Sequence, residues 1–182
     1  MEKDEIELIK RAQKGEREAF AALYEKYFEK IYRYCFFNLR SHEDAQDAVQ
    51  ETFVKTLRRI KEFETKSQGT FQAYLFQIAR NIIIDRSRKR REIKIEDFES
   101  IESTEDMVEE FSKKQRSERV RRVIDRLDGV ERQIIILRYF EEMSYEEISE
   151  AVGLKPAALR VRIHRLIKKI AALYEHEDRR RN

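Results

Sequence analysis

Apolar positions return every three or four residues along most of the chain, the spacing of a 3.6-residue helix, and nowhere alternate over a strand-length run bounded by turns. The clearest set is Phe71, Tyr74, Leu75, Ile78, Ala79, Ile82 and Ile83, which keeps to one face without a miss. Before it, Ile6, Leu8, Ile9 and Ala12 predict a first helix ended at Gly15. Phe20, Leu23, Tyr24 and Tyr27 then lead into Ile31, Tyr34 and Cys35, a long aromatic-rich helix or helix pair. Ser41 with Asp44 reads as an N-cap, opening a stretch that uses Ala45, Val49, Phe53, Leu57 and Ile60. After a long break, Val120, Val123, Ile124, Leu127, the Ile134 to Leu137 cluster, Tyr139 and Phe140 supply a second core.

The pattern is sharpest in SYEEISEAVGLKPAALRVRIHRL, Ser144 to Leu166. Ser144 with Glu147 is a capping-box pair, so a helix starts here and runs through Ile148 to about Val152. Gly153 can take the left-handed conformation that ends it, and Pro156 suits the first turn of the next helix. Leu159, Ile163, Leu166, Ile167 and Ile170 then form one apolar face. Two helices joined by a short Gly-containing turn make a helix-turn-helix.

Composition agrees with the periodicity. Four glycines, one proline and no tryptophan among 182 residues, 41% of them charged, predict an all-α chain that uses its apolar residues sparingly. The net charge of +3 conceals segregation of 39 basic and 36 acidic residues into blocks. DRSRKRR, Asp85 to Arg91, is basic; EIKIEDFESIESTEDMVEEF, Glu92 to Phe111, carries nine acids and one lysine with no sustained helical period. The expectation is two small helical domains, 1–91 and 116–176, joined by an acidic flexible linker, 92–115, with the helix-turn-helix in the second. A linker of about 24 residues reaches roughly 80 Å at most, against about 35 Å for a turn of DNA, so tethered domains can touch sites on the order of two turns apart.

Charge gives the helix-turn-helix a candidate ligand. Between Lys155 and Ile170 there are six basic residues and no acid. Ala157, Val161, His164, Arg165 and Lys168 lie opposite the apolar stripe, flanked by Arg160, Arg162 and Lys169, a basic face suited to DNA. A solvated amphipathic helix at the end of a bundle is the competing reading. The single Cys35 excludes an intramolecular disulfide and reads as a small buried hydrophobe in a reducing cytoplasm. No apolar run approaches signal-peptide or membrane-span character. His42, His164 and His176 are scattered, and no metal-ligand spacing or Gly-rich phosphate loop occurs, so neither an enzyme nor a metal or nucleotide cofactor is expected.

Two basic helical domains on an acidic tether resemble the extracytoplasmic-function (ECF) group of bacterial RNA polymerase sigma factors, over nearly the whole chain. HEDAQDAVQETF, His42 to Phe53, is similar to that family's polymerase-binding motif; TFQAYLFQIARNIIIDRSRKRR, Thr70 to Arg91, to the helix that opens and reads the -10 promoter element; Leu127 to Ile170, to the domain that reads the -35 element. The resemblance implies core RNA polymerase and promoter DNA, duplex and melted, as partners, leaves room for an anti-sigma factor, and calls for no membrane insertion. It implies polymerase binding by Asp44, Asp47, Gln50 and Glu51, with Gln46 standing where the family has an acid. The -10 element would be read by Lys66, Gln68, Arg80, Asn81, Arg86, Arg88 and Lys89, an amide and cations suited to base edges and phosphates of a melted strand. The -35 element would meet Ala157, Ala158, Arg160, Val161, Arg162, His164, Arg165, Lys168 and Lys169. Val161 replaces a hydroxyl common in the family, and no tryptophan wedge is present, which implies an altered -35 preference and stringent promoter choice. The acidic helix with Glu141, Glu142, Glu146, Glu147 and Glu150 is expected to face away from DNA or to contact the polymerase. A conventional dimeric helix-turn-helix regulator and a helical scaffold are the rival readings; residues 42 to 53 and 70 to 91 have no clear task in the first.

Overall fold

The computed structural model of the chain describes residues 3–64, 69–93, 120 and 122–179, with helices and turns but no strand among them. The N-terminal unit consists of α1 (Lys3–Gln13), α2 (Arg17–Leu39), α3 (His42–Arg59), a 3-10 turn (Ile60–Glu62) and α4 (Phe71–Ile93). The aromatic-rich stretch is a single helix: Ala19, Leu23, Tyr27, Ile31, Cys35 and Leu39 extend one stripe at intervals of four without a break. It stops where Arg40 takes a left-handed φ of 60° and donates its N–H to the carbonyl of Phe36. In the middle of that stripe Cys35 is fully buried, and burial pushes its thiol up to about 12.

Ser41 caps α3 as its sequence predicts, accepting the Asp44 N–H at 3.2 Å. The buried face of α3 differs from expectation toward its C-terminal end. Thr52 and Thr56 turn inward, their hydroxyls donating to the carbonyls of Ala48 and Thr52 at 2.7 and 2.8 Å. Satisfied in this way, they fill core positions beside Ala45, Ala48, Val49 and Phe53. Leu57, expected in the core, is displaced to the surface at 52% exposure, next to Val54 at 47%.

In the C-terminal unit, residues 122–125 are helical and lead to α5 (Gly129–Tyr139), α6 (Tyr145–Val152) and α7 (Pro156–Arg179). Asp128 with Glu131 and Ser144 with Glu147 both form complete capping boxes. Gly153 ends α6 at φ 70°. Arg132 donates to the carbonyls of Ile124, Asp125 and Leu127, tying off the turn before α5. Burial, with Arg40 close by, lowers its pKa below the usual guanidinium value. Val123, Ile124, Leu127 and Ile134 to Leu137 are buried as expected, whereas Val120 and Tyr139 are 42% and 53% exposed and Phe140 is half-buried.

The acidic segment that opens the helix-turn-helix corrects the sequence reading most. Glu141 has its side chain fully buried and receives two bonds from the Arg33 guanidinium of α2, at 2.7 and 3.0 Å. The hydrogen bonds hold the Arg33 pKa above its ordinary value. Glu147 accepts from the Thr70 hydroxyl at 3.0 Å. These two acids therefore turn onto the N-terminal unit and join α6 to α4 and α5 to α2. Phe37 meets Phe140 with ring centroids 5.2 Å apart, and the apolar residues of both units form one continuous core. Most of the acidic stretch Glu92 to Phe111 lies outside the described residues.

Candidate functional site

Three surfaces bring the expected site residues together, and they differ in how open they are. On α3, Asp47 and Gln50 are exposed, while Asp44 and Glu51 are half-buried because Arg86 crosses from α4 to meet them. Its guanidinium donates to the Asp44 carbonyl at 3.1 Å and to the Glu51 carboxylate at 3.3 Å. Glu51 also pairs with Lys55 at 2.8 Å; the bond to Lys55 first, then that to Arg86, hold its carboxyl below the usual range despite partial burial. Arg86, expected among the -10 contacts, is thus placed with the acids of the α3 stripe. The exposed Val54 and Leu57 continue the α3 surface one and two turns beyond Gln50, an apolar extension not read from the sequence.

On α4, Asn81, Arg88 and Lys89 are exposed, with Arg88 3.9 Å from Asp85. Arg80 is half-buried and donates to the side-chain oxygen of Gln133 on α5 at 3.2 Å. Thr70 caps the start of α4 by accepting the Ala73 N–H at 3.2 Å while donating to Glu147. Gly69, at φ 70°, lies so close to the Glu150 carboxylate that a Cβ there would overlap it. Lys66 and Gln68 lie outside the described residues.

The third surface is the outer face of α7. Leu159, Ile163 and Leu166 seat the helix, and Ala157, Ala158, Arg160, Val161, His164, Arg165, Lys168 and Lys169 are all exposed, with Arg162 half-buried. Ile167, assigned by its spacing to the apolar face, is 46% exposed. Arg160 reaches Glu146 at 3.5 Å and stands 5.7 Å from the Tyr145 ring, which Arg138 also approaches at 4.8 Å. Lys169 is paired with Glu131 at 2.5 Å. An open groove of about 610 Å³ beside the helix is lined by Leu154, Ala158, Val161, Arg162, Arg165 and Lys169. Guanidinium, ammonium and imidazole groups on one protruding helix can bond base edges and phosphates of a duplex. Among the described residues, no cluster of His, Cys, Asp or Glu is disposed to hold a metal ion, and no helix is long and apolar enough to cross a membrane.

Sequence reasoning missed Arg33 and Gln133, and it gave Glu141 to an outward acidic face rather than to its pairing with Arg33. One signal was available: the unbroken run Ile134 to Leu137 circles its helix, which requires cover on every side.

Comparison with known proteins finds two matching families and several similar proteins. Residues 23–93 match the family described as Sigma-70 region 2, and residues 117–170 match Sigma-70, region 4. The ECF RNA polymerase sigma factor BldN of Streptomyces coelicolor is 32% identical, over 96% of this chain and 67% of its own length. The ECF RNA polymerase sigma factor SigW of Bacillus subtilis is 29% identical, over 86% and 89%. Among solved structures, CnrH in complex with the cytosolic domain of CnrY superimposes with a TM-score of 0.72 at 26% identity, covering 95% of this chain and 97% of that one. The sigma factor RpoE of Bartonella quintana, solved with the anti-sigma factor NepR, shares the fold with a TM-score of 0.71 at 24% identity over 86% and 96%.

Proposed function

The chain belongs to the sigma-70 family, in its ECF group, and directs core RNA polymerase to promoters; from that premise we propose which surface carries each step. The outer face of α3 docks the polymerase: Asp47 and Gln50 offer a carboxylate and an amide, Asp44 and Glu51 add charge, and Val54 and Leu57 add apolar contact. Asn81 of α4 reads the melted -10 strand, with Arg80, Arg88, Lys89 and the loop residues Lys66 and Gln68 holding it, while Arg86 braces the α3 stripe. The outer face of α7 reads the -35 duplex. Residues 1–91 and 116–176 act as two working units on the acidic tether 92–115. The protein works in the cytoplasm, catalyses no covalent step of its own, and is held in reserve by an anti-sigma partner.

The observation that carries this reading is the α7 face, which is exposed at every assigned residue but the half-buried Arg162, free of acids between Lys155 and Ile170, and aimed by the Gly153 turn. Run-off transcription with core polymerase on a fragmented genome, followed by sequencing of start sites, tests it. Starts that share one upstream pair of elements are expected. A chain that never retains polymerase and instead binds palindromic duplex as a dimer would be a conventional regulator.

A further inference from the structure

α4 spends most of its polar groups on the protein itself. Arg80 donates to Gln133, Arg86 is taken by Asp44 and Glu51, and Arg88 lies 3.9 Å from Asp85. Of the three carboxamides on the helix, Gln72 is half-buried and accepts from Lys30 of α2 at 3.4 Å. The other two, Gln77 and Asn81, are exposed, and neither is engaged by another described residue. Four residues apart, they share one face and stand about 6 Å from each other along the helix axis. Stacked nucleotides follow one another at about 3.4 Å, too close for one amide each. Neighbours splayed out of the stack are further apart and can each meet a separate amide. The face also differs at its two ends. One turn after Asn81 it passes to Ile84, an aliphatic side chain 41% exposed that offers no hydrogen bond. One turn before Asn81 it passes to Gln77, and two turns further back to Thr70 and the loop assigned to the same strand.

We propose that Gln77 is a second base-reading residue of the -10 site, contacting the base next to the one that Asn81 reads, on its Thr70 side. This rests on the assignment of Asn81 to the melted strand. A carboxamide carries both a donor and an acceptor, so each of the two can pair with the donor and acceptor on the edge of an unstacked base. The exposed cations Arg88 and Lys89 hold phosphates without regard to sequence. With Arg80 and Arg86 committed elsewhere, the two amides in line carry the choice of base at two adjacent positions.

The test uses holoenzyme assembled from core polymerase and the full chain, on a promoter found by run-off mapping and randomised through its -10 region. Sequencing the RNA products scores every base at every position. Asn81→Ala should flatten the preference at one position. Gln77→Ala should flatten it at the neighbouring position, by about fivefold to tenfold, and leave the others as in wild type. Gln77→Glu keeps the acceptor and loses the donor, so at that same position it should turn the preference toward adenine and cytosine, whose amino groups donate. Both substitutions fall on an exposed side chain, and thermal melting equal to wild type checks that α4 is intact. If both Gln77 variants leave the neighbouring position unchanged, or weaken every sequence alike, Gln77 does not read a base and the inference is overturned. A change at a position not adjacent to that of Asn81 overturns it as well. If Asn81→Ala flattens no position, the assignment of the -10 site to α4 fails instead.

Discussion

The two long basic helices, α4 and α7, are almost the same length, 23 and 24 residues, and are used in opposite ways. α7 is seated by one stripe, Leu159, Ile163 and Leu166, and gives the rest of its surface to solvent. α4 is gripped by α2, α3 and α6, and buries Ala73 and Phe76 in addition to Phe71, Tyr74, Leu75, Ala79, Ile82 and Ile83. A duplex groove accepts a protruding helix, so α7 can be ready in advance. A melted strand must be received in a prepared, partly enclosed place, and packing on three sides gives α4 the rigid support that its proposed -10 role requires.

The largest way to break this contrast is to weaken the grip on α4. Phe76 is fully buried with its ring 5.1 Å from that of Tyr34, so Phe76→Ala should cost about 3–5 kcal/mol in urea unfolding. A loss below about 1 kcal/mol would mean that α4 is no better supported than α7.

A smaller change isolates the aim of α7. A Cβ added to Gly153 would meet no other atom, so Gly153→Ala carries only the strain of its left-handed backbone, roughly 1–2 kcal/mol. Binding to a -35 duplex should fall with it, measured by fluorescence anisotropy, whereas polymerase retention through α3 should not.

Finer still are the separate tasks within α7. Arg160→Ala should weaken all -35 sequences about equally and lower the salt slope by roughly one unit, since its position beside Glu146 and Tyr145 suits a backbone clamp. Val161→Ser, at a residue 53% exposed and apolar, should reorder -35 preference, most at a thymine, with little change in overall affinity. Promoter-library transcription with each variant checks both; the opposite pattern would exchange the two roles.

The smallest effect is alkaline. Folding raises the Cys35 thiol from 9.0 to about 12, so its contribution is fully present below pH 9 and is lost as pH rises toward 12, where the unfolded thiol ionises and the folded one does not. Tyr34, raised by burial as well, acts in the same direction. Cys35→Ala should flatten part of this alkaline fall in thermal stability, and Cys35 should resist thiol reagents at pH 8 until the chain unfolds.

Local chemistry was legible without a structure. Ser41, Ser144 and Gly153 mark helix ends through single bonds or one backbone angle, and the stripe Leu159, Ile163, Leu166 follows from 3.6 residues per turn alone. The outward face of α7 came with that stripe, because a helix with one buried side has a known opposite side. Where a helix has two or more partners, periodicity names only one of them. Thr52 and Thr56 belong to the core because their hydroxyls find carbonyls one turn back, which hydropathy does not register, and Leu57 is outside as a result. Glu141 is buried only because Arg33, 108 residues earlier in the chain, stands opposite it; pairing over such a separation depends on how α2 and α5 pack, and only the tertiary structure decides that.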